Sequence, residues 1–480
     1  MNGRVAVLRG DAACLPLPDG SVDLIVTSPP YWGVRDYQDG GQSLVGQIGN
    51  EERWQDYLAN LLRCTQEWAR ILKPDGSIFV NLGDKYANDA KWGGVTSGKH
   101  VQGLHGKTGI GRAKVRTGIP PKSLIGLSSR YAIACVDELG LTWRRDNIWS
   151  KPSAMPESVD DRCATRHEYV QHLTLQGDYY AAIDEIREPS VSLSPEHDSR
   201  RRQRKTDKRL DLIGGGRTST MNALGKLPGS VWEIAFTPLN VPEWLKHGRC
   251  CGGRERPGCE DGLDHHAAFP LDLVRKVILG WSPSGICLEC GKGRFPVSRA
   301  RAAESKSWEL DQRPGRSWHG DGPNPARTLG TPAAERERRI IGQACACTPY
   351  TDHPGSGKPT QRRDHNSDQP AYHPHGTYGQ KQAGEYERVG PWREYHLDGW
   401  VAPPTRPARV VDPFGGTGAA ALVAAALGRI GITVDRSADY CNIARWRTAD
   451  PGERARAMQV PKPPPVPEGQ RSLFDDLEAS

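Results

Sequence analysis

Residues 408–435 read ARVVDPFGGTGAAALVAAALGRIGITVD, and the order of residue types in this stretch decides the fold. Val410 and Val411 form a short apolar run that stops at Asp412-Pro413. Three glycines follow within the next five residues, then an alanine-rich segment from about Ala419, then the apolar run GITVD ending at Asp435. Glycine lets a backbone turn sharply and approach a ligand closely, and a helix opening directly after such a turn offers free N–H groups. Strand, glycine turn, helix and strand make the first βα unit of a nucleotide-type cofactor site in a largely parallel sheet. Asp435 stands at the expected distance of roughly 20 residues for a carboxylate that accepts hydrogen bonds from ribose hydroxyls. Phe414, Gly416 and Gly418 follow F-x-G-x-G rather than G-x-G-x-x-G. An adenosine cofactor without a pyrophosphate, such as S-adenosylmethionine, therefore fits better than a dinucleotide. The alternative reading is a glycine turn that only packs tightly.

Near the other end, VDLIVTSPPYW (Val22–Trp32) is a buried-type strand closed by Ser28, two prolines and two aromatics. Proline cannot extend a sheet ladder, and it restricts the residue before it. Such a rigid corner suits a reaction at an exocyclic amino group, whose lone pair is delocalised into its ring. The Ser28 hydroxyl and the Pro29 carbonyl are two fixed acceptors for the amino hydrogens. Pro30 completes the stiff corner, and Tyr31 offers a face for an extruded base. A tight turn with core aromatics is the alternative.

Between these segments, strands and helices alternate: RVAVLRGD, the apolar-periodic WQDYLANLLRCTQEWARIL, SIFVNLGD, SLIGLSSRYAIACVDELG, LTWRRDNIWSK, HEYVQHLTLQ and FPLDLVRKVILGWSP. That alternation predicts an α/β fold with a mostly parallel twisted sheet. The chain of 480 residues has 54 Gly, 38 Pro and a net charge of +7. The charge concentrates in SRRRQRKTDKR (Ser199–Arg209), which suits a polyanion, most simply nucleic acid, or a solvated charged loop. No run of about 18 apolar residues or secretory leader is expected, which places the chain in the cytoplasm of a prokaryotic or phage-infected cell. Its 12 cysteines are then thiols or metal ligands rather than disulfides.

Taken together, these motifs resemble the β-class DNA amino-methyltransferases, the N4-cytosine and N6-adenine family, in which methyl transfer runs from S-adenosylmethionine to an exocyclic amino group. TSPPYW is similar to the catalytic motif and DPFGGTG to the cofactor loop. GDA (Gly10–Ala12) resembles the adenine-binding strand end. WSKPSAMPESVDDRCATRHEYV (Trp149–Val170), SVWEI (Ser230–Ile234) and HHAAFP (His265–Pro270) resemble later blocks. The resemblance implies a Rossmann-like methyltransferase with permuted motif order, since the catalytic motif precedes the cofactor motif. It implies catalytic roles for Ser28, Pro29, Pro30 and Tyr31, and cofactor binding by Asp11, Asp412, Phe414, Gly416, Gly418, Asp435, Phe269 and Pro270. Ser28 at the first motif position resembles the cytosine-N4 subgroup, with adenine N6 as the alternative, followed by an RNA or protein-amide substrate. Gly415 stands where the family often has alanine, and Asp435 where glutamate is common.

The expected organisation is a catalytic part (1–184), a target-recognition region (185–229), a continuation (230–286), a largely disordered Cys-containing insertion (287–404), a cofactor-binding part (405–450) and a Pro-rich tail (451–480). Double-stranded DNA is the expected partner, held by Arg200, Arg201, Arg202, Arg204, Lys205 and Arg209, with Lys85–Pro121 as a loop over the substrate or an unstructured insertion. Cys287, Cys290, Cys345 and Cys347 are candidate ligands of a structural zinc, and His247, Cys250, Cys251 and Cys259 form a second candidate group. In the tail, QRSLF (Gln470–Phe474) resembles a peptide that docks on the bacterial sliding clamp; a chance match is the alternative.

Overall fold

The protein is described by a computed structural model covering residues 4–87, 117–188, 226–242, 245, 269–300, 338–353 and 392–462, with short gaps at 35–36, 40–41, 155–156, 158 and 237. The basic run, most of the Lys85–Pro121 loop, the His247–Cys259 group, His265–Ala268 and Gln470–Phe474 lie outside these residues.

The elements run β1 (Val5–Arg9), β2 (Val22–Thr27), β3 (Gln38–Asp39), β4 (Gln42–Ser43), α1 (Trp54–Ile71), β5 (Leu72–Leu82), α2 (Leu127–Asp137), β6 (Thr142–Ser150) and β7 (His167–Thr174). There follow a 3₁₀ turn (Ile183–Ile186), β8 (Val231–Glu233), α3 (Leu271–Trp281), β9 (Ile286–Cys287), β10 (Phe295–Ala300), β11 (Arg338–Ala344), β12 (Tyr350–His353) and β13 (Trp392–Tyr395). The chain then forms β14 (Thr405–Arg406), β15 (Arg409–Asp412), α4 (Ala419–Ala426), β16 (Ile430–Asp435), α5 (Ala438–Ala449) and α6 (Pro451–Met458).

Eight strands form one Rossmann-like sheet in the order β1-β16-β15-β2-β5-β7-β6-β8. From β1 to β5 all pairings are parallel; β7 runs antiparallel to both β5 and β6. The C-terminal pair β15–β16 is thus inserted between β1 and β2, strands 1 and 2 of the chain. Consecutive strands depart in opposite directions from the β15–β2 junction: β15 through α4 to β16 on one side, β2 through α1 to β5 on the other. Such a switch point opens a crevice at the carboxyl ends of the strands.

The strands explain the burial. All six residues of β2 are buried, and its side chains alternate between two cores. Val22 and Ile25 join Ile78, Val80, Val411 and α1 on one face, while Leu24 and Val26 join Phe79, Val410, α3 and α4 on the other. Strands covered on both faces read as nearly continuous apolar runs; in β2 these are Val22 and Leu24–Val26, while the buried Asp23 accepts the Arg409 N–H and the buried Thr27 bonds Asp412. Helix α1 buries Tyr57, Leu58, Leu61, Leu62, Trp68 and Ile71, a 3–4 residue spacing that makes one apolar stripe. In α4, Ala419–Ala424 are all buried, and small side chains let the helix backbone lie very close to β16.

β5 starts directly at Leu72 and runs through Lys73–Gly76, where an irregularity is absorbed as a register shift opposite Val22–Leu24. The described parts of the 287–404 insertion, residues 287–300, 338–353 and 392–404, contain paired strands. β10 pairs with β11, β12 with β13, and β9 with β14. Polar sequences gain order here through backbone pairing, not through a large apolar core. Among the described residues, no helix is long and apolar enough to cross a membrane.

Candidate active site

Two motifs separated by most of the chain meet at the switch point. The Thr27 hydroxyl donates to Asp412 Oδ1 at 2.6 Å, fully buried. The same oxygen accepts the Phe414 N–H at 3.1 Å, which shapes the start of the glycine turn. Burial, partly offset by these two donors, pushes the Asp412 carboxyl up to about 7. Asp435, at the tip of β16, accepts the Gly416 N–H at 2.9 Å and the Ser437 N–H at 2.8 Å. Its burial outweighs these bonds and pushes it up to about 6. The Gly416 N–H bonds Oδ2 and the Ser437 N–H bonds Oδ1, and a carboxylate's roughly four lone-pair sites leave room for a further donor.

The turn needs its glycines. Gly416 and Gly418 have φ of +48° and +76°, values that side chains with a Cβ avoid. Gly415 has a different reason: a Cβ there would collide with the Thr433 side chain. Gly415 is therefore matched to Thr433 in this chain. Phe414 is half-buried and meets Trp68 edge-on at 5.9 Å. Asp11, exposed at the end of β1, accepts the Ala13 N–H at 2.9 Å. Phe269 and Pro270 sit at the start of α3, where the Pro270 carbonyl accepts the Val274 N–H at 3.2 Å and Phe269 packs on the second core.

Ser28 continues directly from β2. Its hydroxyl oxygen accepts a long 3.4 Å hydrogen bond from Asn81 Nδ2. Tyr57 donates to the Pro30 carbonyl at 2.9 Å, which fixes the proline corner from α1. The Tyr31 hydroxyl donates to Glu168 Oε2 at 2.6 Å. Asn81 Nδ2 also reaches the Tyr31 hydroxyl and Glu168 Oε2, both at 2.8 Å. Lys151 pairs with Glu168 Oε1 and lies over the Trp149 ring at 4.3 Å. Burial first, and then the Glu168 charge, holds the Tyr31 phenol well above its ordinary range. Tyr31 therefore stays protonated and remains the donor. Trp32 is a core residue, bonded to the Glu51 carbonyl at 2.8 Å.

Asn81, Lys151 and Glu168 were not singled out in the sequence. They come from the ends of β5 and β6 and the start of β7, and strand register alone assembles them. Only one signal was available: Lys151 and Glu168 lie inside the quoted Trp149–Val170 block. Asp39 was also missed. After the proline corner the chain crosses back over the tip of β16, where Asp39 pairs with Arg9 at 2.9 Å and accepts the Ala438 N–H at 3.1 Å. Arg436 holds this crossing segment through the carbonyls of Val45 and Gly46, at 3.0 and 2.8 Å. Cys287, Cys290, Cys345 and Cys347, expected together, do gather, with all four sulfurs within 4.8 Å of one another.

Comparison with known proteins places this geometry. A family model described as DNA methylase (N6_N4_Mtase) matches residues 22–287, more than half of the chain. The type II methyltransferase M.SmaI of Serratia marcescens is 37% identical over 199 residues, covering 41% of this chain and 64% of that protein. M.Cfr9I of Citrobacter freundii is 40% identical over 199 residues, 40% of this chain and 61% of the relative. The chain thus spans under two thirds of the length of both relatives. Among solved structures, the PvuII DNA methyltransferase (cytosine-N4-specific) aligns over 96% of this chain and 94% of its own, at 15% identity and a TM-score of 0.43. By the extent of the family match, which runs from the strand before the proline corner through the Lys151–Glu168 pair, this chain belongs to the N6/N4 DNA methylase family.

Proposed function

We propose that this protein is a β-class DNA methyltransferase of permuted motif order, which methylates the exocyclic amino group of a flipped base, cytosine N4 in preference to adenine N6. The observation that carries the reading is the 2.6 Å bond from Thr27 to Asp412, which joins the proline corner to the glycine turn at adjacent strand ends. The donor set fits S-adenosylmethionine. Two buried carboxylates suit a cationic adenosine derivative, and Asp435 retains lone pairs for ribose hydroxyls. When bound, this cofactor supplies an electrophilic methyl carbon on a sulfonium.

The chain's own residues then have distinct tasks. An amino group engaged in base pairing is reachable only when its base leaves the stack. Ser28 Oγ has two lone pairs: one takes the Asn81 N–H, the other accepts an amino hydrogen of the base. The Pro29 carbonyl accepts the second hydrogen. With both hydrogens held, the nitrogen lone pair is directed out of the ring system. Glu168, braced by Lys151, fixes the Tyr31 hydroxyl and so the ring on which the base stacks. Residues 185–229 are assigned to target recognition and supply the basic side chains for phosphate contact.

Nucleoside mass spectrometry of host DNA after expression tests the reading. The expected product is N4-methylcytosine, abolished in Ser28→Ala. N6-methyladenine would transfer the assignment to the other base, and methylation confined to RNA or protein would refute a DNA substrate.

The raised carboxyls predict a pH dependence. A cation binding beside Asp412 and Asp435 favours their ionised forms, so binding releases protons. Cofactor affinity should fall as pH drops through about 7 and then about 6. Titration calorimetry from about pH 8 to about pH 5.5 should show at least a roughly tenfold loss. A flat profile would mean that neither carboxylate senses the cofactor charge.

A further inference from the structure

The four gathered cysteines lie away from the crevice, and we infer that they form a structural zinc site that ties β9, β10 and β11, the described start and middle of the insertion, together at the amino-terminal ends of the central strands. Cys287 and Cys345 are almost completely buried, while Cys290 and Cys347 are half-buried. The Cys287 and Cys347 sulfurs are 3.9 Å apart, far longer than the roughly 2.05 Å of a disulfide. That spacing is close to the edge, about 3.8 Å, of a tetrahedron with metal–sulfur bonds of about 2.3 Å.

Both halves are built as tight turns. The Gly291 N–H returns to the Cys287 carbonyl at 3.0 Å, and the Thr348 N–H to the Cys345 carbonyl at 3.0 Å. β10 and β11 connect the two turns as an antiparallel pair, with Phe295 opposite Ala344. Four sulfur ligands select a soft, tetrahedral ion, and zinc needs no redox partner to remain there.

The position assigns the role. β9, which carries Cys287, pairs with β14 just before β15 begins. Asp23, next to the first residue of β2, accepts the Arg409 N–H at 2.8 Å at these same strand ends. Ser28, Asp412 and Asp435 are at the opposite, carboxyl ends of the strands. The metal is therefore remote from methyl transfer. It joins the start of the insertion to its midpoint, where the residues are too polar to be held by apolar burial alone. The module also braces the chain after β7. Tyr180 donates to the Arg294 carbonyl at 2.8 Å, Ser298 to Asp184 at 3.3 Å, and Gln343 to Glu185 at 3.2 Å.

Elemental analysis of the full chain, purified without chelator, tests the site. Cys290→Ser/Cys347→Ser should carry one zinc equivalent fewer than the parent and bind S-adenosylmethionine within about twofold of it. If that variant does not fold, cobalt(II) exchange into the parent chain provides the second measurement. The expected spectrum has intense thiolate-to-cobalt charge-transfer bands. A double variant that keeps the parent's zinc content, a parent chain free of zinc, iron in place of zinc, or a cobalt form without thiolate bands would each overturn the assignment. None of these readouts depends on methyl transfer, so their failure is separable from failure of the proposed activity.

Discussion

Replacing Glu168 with alanine is expected to lower methyl transfer about a hundredfold while changing cofactor affinity less than about twofold. Glu168 accepts from both Tyr31 and Asn81 and pairs with Lys151. Its loss leaves a half-buried cation without its carboxylate and a phenol without its acceptor. A buried donor deprived of its partner costs roughly 1–3 kcal/mol, and the Tyr31 ring is then free to move. The side chain is at the start of β7, whereas the cofactor residues are at the tips of β15 and β16, so binding there should persist. Tyr31→Phe keeps the ring and removes only the hydroxyl, so its loss should be smaller. Single-turnover rates together with calorimetric cofactor binding check this. Equal, large losses in both quantities would show that Glu168 supports the fold as a whole rather than the proline corner.

The largest effect on stability is expected from Gly431→Ala. A Cβ at this position in β16 would come within 2.5 Å of the Ala421 Cα and 2.7 Å of its carbonyl carbon. Those are backbone atoms of α4 and cannot rotate away. The helix would have to lift off the sheet, with loss of about 3 kcal/mol. Gly177 has nothing within 4 Å of its virtual Cβ, so Gly177→Ala should change stability by less than about 0.5 kcal/mol. Urea unfolding of both variants makes the comparison; similar midpoints would show that α4 and β16 do not pack this closely in solution.

The two site motifs were legible because each is continuous in sequence. Asp412 through Gly418 carry their own turn geometry, and Val22 through Tyr31 carry strand, acceptor and proline stiffening in one run. Their spacing is local, so residue type alone suggested the chemistry. The strands were equally legible, since β2, β15 and β16 are apolar on both faces. The strand pairing within the insertion was not. Its strands pair across long stretches of sequence, and composition carries no record of which backbones meet.

The sequence by itself determined the alternation of strand and helix, the two rigid turns and the four cysteines at paired spacing, because these follow from short-range residue preferences. Only the tertiary structure decided that β15 and β16 insert between β1 and β2, which brings Asp412 to Thr27. Only register between β5, β6 and β7 brought Asn81, Lys151 and Glu168 to Tyr31. The physical reason is the same in both cases: a polar residue at a strand end has no periodicity of its own, and its partner is chosen by which strands lie side by side.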